Sequence, residues 1–236
     1  MASRYLPVMD GLNKSRVSVG VVFDFDGTLA DTVDLLVEAS RAVLRYSGYE
    51  EAALADLEAL RDMHPRRALE TVGIPLRAVP GLVRRLRREL RRRSTEVELV
   101  DEVPAFIETL HGSGFTLGIM SSNSPRLIRS VIERSEVARF FRFVARGGTI
   151  RDRARRLSRV LRRYSGLAEQ WIFVGDEIRD LEAATRCGIP FVGVNWGVAS
   201  LEALATAGAP QVVKSWFELG DVLESLSTDL QHNGPE

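Results

Sequence analysis

Val19 to Thr32 reads VGVVFDFDGTLADT, an apolar run that stops abruptly at two aspartates separated by one residue, Asp24 and Asp26, and then meets Gly27. The run is too short to span a membrane and too apolar for a half-exposed strand, so it reads as a buried strand of a parallel sheet. Alternate residues of an extended strand share a side, which would send Asp24 and Asp26 the same way. Gly27 permits the sharp turn that ends the strand. Two carboxylates at the end of a buried strand are costly unless a cation meets them. A divalent ion is the simplest answer, and oxygen ligands of this kind favour Mg²⁺, which keeps several waters and shares its shell with a phosphate.

Outward from that stretch, the chain repeats the same pattern. Phe115 to Met120, FTLGIM, is a buried strand running straight into Ser121-Ser122-Asn123. Phe140 to Ala145 is a short strand, Trp171 to Val174 ends in Gly175-Asp176, and Pro190 to Val194 is a fifth strand. Helices are predicted between them: one with Pro104 in its first turn and Gly112-Ser113-Gly114 at its end, one from about Pro125 to Arg134, one from Ile150 to Tyr164, and one over Leu181 to Arg186. Thr149 would cap the third of these, with Asp152 three positions on as in a capping box. Alternating strands and helices with short loops argue for an α/β fold, a Rossmann-like doubly wound parallel sheet covered on both faces. Ligands of such sheets bind beyond the carboxyl ends of the strands, and Asp24, Ser121 and Asp176 each follow a strand immediately.

Between the first and second of these strands the chain is helical. Asp31 to Tyr46 has helical spacing, with Asp31 as its N-cap and Asp34 adding negative charge to the first turn. Residues 50 to 93 continue helically, with breaks at His64-Pro65, Gly73-Ile74-Pro75 and Pro80-Gly81 and no convincing strand. The segment ends in GLVRRLRRELRRRS, where Leu82, Val83, Leu86 and Leu90 recur at helical spacing and Arg84, Arg85, Arg87, Arg88, Arg91 and Arg92 take the other faces. A solvated face is the plain reading of those arginines. Attraction of an anionic substrate to a nearby cleft is another. Nucleic-acid binding would want aromatic stacking partners or a known module, and neither stands nearby.

Asp24-Phe25-Asp26-Gly27-Thr28-Leu29 resembles the first motif of the haloacid dehalogenase superfamily, the aspartate-nucleophile phosphatases and mutases. Gly175-Asp176-Glu177-Ile178-Arg179-Asp180 is similar to its fourth motif, and Ser121 to its second. The tail, with GVNWG at 193 to 197, Leu201-Glu202, Ala207-Gly208-Ala209 and Phe217-Glu218-Leu219, looks like that of phosphoglycolate-phosphatase-like members. The resemblance implies a core of residues 1–30 and 101–236 and an inserted helical cap over 31–100. It implies Asp24 as nucleophile, Asp26 as acid and base, and Mg²⁺ held by Asp24, the Asp26 backbone carbonyl and Asp176, with Asp180 in an outer, orienting role. Ser121, Ser122 and Asn123 would hold phosphate oxygens.

The family's third motif normally supplies a lysine, and the chain has no lysine between the second and fourth motifs. Placing that helix on RDRARRLSRVL puts Arg153 at the position, with Arg151 and Arg155 as fallbacks one turn out. Arginine carries the charge and can grip a phosphate with two bonds, but it is bulkier. The resemblance therefore implies a Mg²⁺-dependent phosphatase of a small phosphorylated metabolite, phosphoglycolate-like. A phosphomutase and a non-catalytic relative that binds an anion or a partner remain the alternatives.

Composition agrees with a large globular unit. The 236 residues are 45% hydrophobic and 27% charged with zero formal net charge, which gives no long-range attraction to nucleic acid or membrane. The only lysines are Lys14 and Lys214. Cys187 is the single cysteine, so no internal disulfide forms, and it reads as a small buried residue. Residues 1 to 16 read as a polar arm that frays, with no apolar signal core, and no window reaches the length of a membrane span. The expectation is a cytoplasmic protein. His64, His111 and His232 have no ligand spacing, and neither oligomeric state nor substrate identity is written in the residues.

Overall fold

The computed structural model describes residues 18–56, 60–148 and 152–232. Its strands are, in chain order, β1 (Val19–Phe23), β2 (Ala30–Asp31), β3 (Glu98–Leu99), β4 (Thr116–Ser121), β5 (Phe141–Arg146), β6 (Gln170–Gly175), β7 (Phe191–Val194) and β8 (Val212–Val213). The helices are α1 (Val33–Tyr46), α2 (Glu50–Leu54), α3 (Pro65–Thr71), α4 (Val79–Arg92), α5 (Val103–Gly112), α6 (Pro125–Arg134), α7 (Arg153–Arg163), α8 (Ile178–Cys187), α9 (Leu201–Thr206) and α10 (Trp216–His232).

Six strands form one sheet in the order β5-β4-β1-β6-β7-β8, parallel at every pairing. Both faces are covered, which is what such sheets require. Alternation along β1 sends Val21 and Phe23 to one face and Val22 to the other. On the first face they join Ile107 of α5, Ile128 and Val131 of α6, and Leu219 and Leu223 of α10. On the second, Val22 joins Leu157 and Val160 of α7, Leu181 and Ala184 of α8, and Leu204 of α9. The result is the expected three-layer α/β fold. Among the described residues no helix is long and apolar enough to cross a membrane.

The helical segment leaves and re-enters at one place. β2 and β3 pair antiparallel, Ala30 opposite Leu99 and Asp31 opposite Glu98, and the Val100 N–H donates to the Leu29 carbonyl at 3.0 Å. Hydrogen bonds then tie the segment back to the sheet's carboxyl end. Arg61 Nε donates to the Val198 carbonyl at 3.0 Å, the Ser200 N–H donates to Asp62 Oδ1 at 2.9 Å, and Arg87 Nε donates to the Ser122 carbonyl at 2.7 Å.

Several local expectations are corrected. Asp31 does not cap α1, because it is taken into β2, and Thr32 holds the N-cap position. Pro80-Gly81 does not interrupt a helix: both lie in the first turn of α4, where a proline's missing N–H has no partner to lose. Asp152 is the N-cap residue of α7, which begins at Arg153 rather than at Ile150. Thr149, Ile150 and Arg151, with the expected arm of residues 1 to 16, lie outside the described residues. β8, β2 and β3 went unread because two residues cannot display a period.

Candidate active site

The backbone turn after β1 decides where the first two acids point. The Asp24 N–H still bonds the Val174 carbonyl of β6 at 2.8 Å, so Asp24 is held in the sheet's ladder. Then Leu29 and Ala30 both donate to the Phe25 carbonyl at 2.9 Å, and Gly27, at φ +75°, curls the chain back on itself. Asp24 is left facing inward. Its Oδ1 accepts from the Phe25 N–H at 2.7 Å and its Oδ2 from Arg153 Nη2 at 2.6 Å.

Beyond the curl, Asp26 has partners of its own. Asp26 Oδ2 accepts from Ser121 Oγ at 2.9 Å and Oδ1 from Asn123 Nδ2 at 3.2 Å. Ser121 ends β4, and its Oγ also accepts from the Asn123 N–H at 2.9 Å, which fixes the loop. Ser122 offers its carbonyl to Arg87.

β6 delivers the third acid. Asp176 Oδ1 accepts from Thr28 Oγ1 at 2.8 Å and Oδ2 from the Val198 N–H at 2.8 Å. Side chains at Gly27 or Gly197 would collide with Asp176 Oδ2, so both glycines are needed for this approach. Asp180 stands at the third position of α8 in a capping box with Glu177, and its carboxylate is fully buried. Ligand atoms of Asp24, Asp176 and Asp180 all lie within 4.8 Å of one another. Asp180, expected in an outer role, thus lies in one cluster with Asp24 and Asp176.

Arg153 opens α7 and is 2% exposed. Its Nη2 bonds Asp24, its Nε forms an ion pair with Asp180 Oδ1, and its Nη1 is buried with no hydrogen-bond partner. Gly147 makes room for it: a Cβ there would stand 3.1 Å from Nη1. Arg155, the fallback, is exposed.

Charge and burial set the protonation of the group. Burial, then the charges of Glu177, Asp24 and Asp180, push Asp176 well above the usual carboxylate range, against the Val198 N–H. Burial raises Asp180 to about 7, opposed by Arg153 and reinforced by Asp24 and Glu177. Asp26 rises to about 6, through burial first and the Asp24 charge second, with Ser121, Asn123 and Arg179 opposing. Burial works against the Arg153 charge, but Asp180, Asp24 and Glu177 more than offset it.

Three clustered carboxylates face one guanidinium, since the Arg179 charge is taken up by its ion pair with Glu177. Fully ionised, the cluster therefore holds a surplus of two negative charges in a buried space, the charge one divalent cation cancels. The all-oxygen donor set suits Mg²⁺.

Some contributors carried no separate mark in the sequence. Arg87 is one arginine in a run of similar ones. Thr28, which anchors Asp176, sits inside the string that drew attention to Asp24, and only its distant partner was hidden. Arg179 likewise lies within GDEIRD. The Val198 N–H belongs to a backbone group, which no side-chain pattern marks.

The family model for haloacid dehalogenase-like hydrolases matches residues 21–194. A phosphoglycolate phosphatase of Synechococcus elongatus is 30% identical over 79% of this chain and 88% of that protein. Another phosphoglycolate phosphatase, from Salmonella typhimurium, is 29% identical over 92% of this chain and 95% of that protein. Among solved structures, a predicted phosphatase from Clostridium acetobutylicum has a similar fold, with a TM-score of 0.74 at 22% identity, covering 89% of this chain and all of that one (100%).

Proposed function

This chain belongs to the haloacid dehalogenase-like hydrolase family, and from that premise we propose that it is a Mg²⁺-dependent phosphatase of a small phosphorylated metabolite, working through an aspartyl phosphate. The observation that carries the reading is the buried set Asp24, Asp176 and Asp180 within 4.8 Å, with Arg153 pressed against Asp24. Asp24, Asp176 and Asp180, with the Asp26 backbone carbonyl, are the groups that would hold the ion. When bound, it supplies positive charge that lets a carboxylate approach a phosphate dianion.

The remaining chemistry falls to the chain. The Asp24 carboxylate forms a bond to phosphorus as the ester P–O bond breaks, and one hard displacement becomes two easier ones. Arg153 Nη1, the unpartnered donor, is free to bond a phosphoryl oxygen while Nη2 keeps Asp24 oriented. Asp26, raised to about 6, gives its proton to the leaving alkoxide. In the second step Asp26 takes a proton from water, whose oxygen bonds phosphorus as the acyl-phosphate bond breaks, so phosphate leaves and both aspartates are restored. Ser121 and Asn123 orient Asp26 and line the phosphate loop, with Ser122 beside them.

In this reading residues 31–100 form the cap and 1–30 with 101–236 the core. The α/β core carries the chemistry and the cap shapes the substrate. The binding-only alternative rested on the missing lysine, and the Arg153–Asp24 bond supports the reading that Arg153 serves in its stead. Phosphoglycolate is the substrate the named relatives suggest.

The test is phosphate release from a set of monoesters with and without Mg²⁺, together with mass analysis of acid-quenched enzyme. A phosphate-sized gain on the peptide containing Asp24 is expected. Turnover without Mg²⁺, or a phosphorylated residue other than Asp24, would overturn the reading.

A further inference from the structure

The loop between β7 and α9 is bound on both its sides. Toward the core, the Val198 N–H donates to Asp176 Oδ2 at 2.8 Å, the Ala199 N–H to the Asp176 carbonyl at 3.1 Å, and Trp196 Nε1 to the Thr28 carbonyl at 3.1 Å. A Cβ at Gly197 would collide with that of Asp176, so the loop's backbone lies directly against this acid. Where Val198 stands therefore decides where Asp176 Oδ2 is held.

Away from the core, the same loop faces the helical segment. The Met63 N–H donates to the Leu60 carbonyl at 3.0 Å, closing a turn with Arg61 and Asp62 at its centre. Arg61 is half-buried, and it donates from Nε to the Val198 carbonyl at 3.0 Å and from Nη2 to the Gly197 carbonyl at 3.4 Å. Asp62 Oδ1 accepts from the Ser200 N–H at 2.9 Å, and Ser200 Oγ in turn caps α9 by accepting from the Ala203 N–H at 3.1 Å. Polarity is matched along the turn: a guanidinium meets two carbonyls and a carboxylate meets an N–H. Such charge-assisted bonds are stronger than neutral ones, and a rigid fork on two successive carbonyls restricts the loop to one arrangement.

We propose that Arg61 and Asp62 are positioning residues for Asp176. By holding residues 197–200 from the helical side, they fix the N–H that aims its carboxylate, and through it the affinity of the acid cluster for a divalent cation. Neither residue touches the acids. The inference rests on the metal-binding part of the reading above and places one source of that affinity outside the α/β core. Outer partners of a ligating group are worth about 10–100-fold in metal affinity, and residues one bond further out act at the low end of that range.

The test reads metal binding rather than turnover. Mn²⁺, which suits the same oxygen donors, is titrated into the protein while its free-ion electron spin resonance signal is followed, and Mg²⁺ is then added to displace it. Asp62→Ala and Arg61→Met are expected to weaken both ions by about fivefold or more. Asp62→Asn keeps an oxygen acceptor for the Ser200 N–H and is expected to return the affinity to within about twofold of wild type. Glu182→Ala controls for a segment that is merely loosened. It removes the ion pair of 3.5 Å between His64, the N-cap of α3, and Glu182 of α8, and is expected to leave the affinity unchanged.

Melting curves in EDTA show whether each variant is folded, and the two Asp62 variants decide the matter if Arg61→Met is not. Wild-type affinity in Asp62→Ala, or an equal loss in Asp62→Asn or Glu182→Ala, would overturn the proposal while leaving the metal site standing. A wild-type protein that binds neither ion would overturn the assignment of the ion to the acid cluster, and this inference with it.

Discussion

Arg153 Nη2 donates to Asp24 Oδ2 at 2.6 Å across 129 residues of sequence, and both side chains are almost wholly buried. Removing one member of such a pair strands the other. Arg153→Met is expected to cost about 3–5 kcal/mol of stability and, as with loss of a preorganised transition-state donor, about 10²-fold or more in kcat. Arg153→Lys keeps the charge, but one ammonium cannot serve Asp24 and Asp180 from separate nitrogens of a rigid fork. It should fall between wild type and Arg153→Met in both thermal unfolding and turnover. Wild-type stability in Arg153→Met would show that the pair does not act as described.

Asp24→Asn separates chemistry from folding. The change removes one of three crowded carboxylates, while Asp180 keeps Arg153 paired. Turnover should fall by several orders of magnitude, with a melting temperature equal to or above that of the wild type, as happens when a strained functional charge is removed. Circular dichroism melts beside phosphate-release assays read both. Substantial remaining turnover would remove Asp24 from the nucleophile's place.

Asp26 gives the reaction a pH signature. With its carboxyl raised to about 6, the protonated acid is lost as pH climbs through that value. For an alkyl ester, whose alkoxide must be protonated, kcat/KM should therefore decline above about pH 6. An aryl ester with an acidic phenol leaving group should lack that decline. Matched pH profiles check it, and identical profiles for the two esters would count against Asp26 as the acid.

Without a metal, the same acids make folding sensitive to pH. Asp26 at about 6, Asp180 at about 7 and the raised Asp176 keep protons in the folded protein that the unfolded chain gives up near pH 4. Each therefore lowers stability as pH rises from about 4 toward 7. In EDTA, wild type should lose more stability across that interval than Asp176→Asn does, and millimolar Mg²⁺ should raise the wild-type melting temperature but scarcely that of the variant. Equal slopes in EDTA for the two proteins would exclude Asp176 as a source of the cost.

The sheet was readable because its strands are apolar over several residues and end at marked positions: Asp24, Ser121 and Asp176 sit at the tips that the pattern named. What the letters could not show was direction. Alternation describes an extended strand, and beyond Asp24 hydrogen bonds to the Phe25 carbonyl replace it, so that Asp24 meets Arg153 while Asp26 meets Ser121 and Asn123. Arg153 was singled out by the family resemblance, yet its second partner, Asp180, depends on how α7 and α8 lie side by side, which the resemblance did not supply. Arg87 was hidden by its neighbours, because six similar arginines differ only in what the fold puts opposite them.

The pairing of Ala30 with Leu99 brings the two ends of the helical segment one strand spacing apart, about 4.8 Å. A gap that small is closed by a two-residue turn. The chain thus enters and leaves the segment through one neck, and the sheet is expected to keep its register when residues between Asp31 and Glu98 are shortened or exchanged, although the Arg61, Asp62 and Arg87 contacts would be lost. Under the proposed division of cap and core, selectivity and catalysis could then diverge separately.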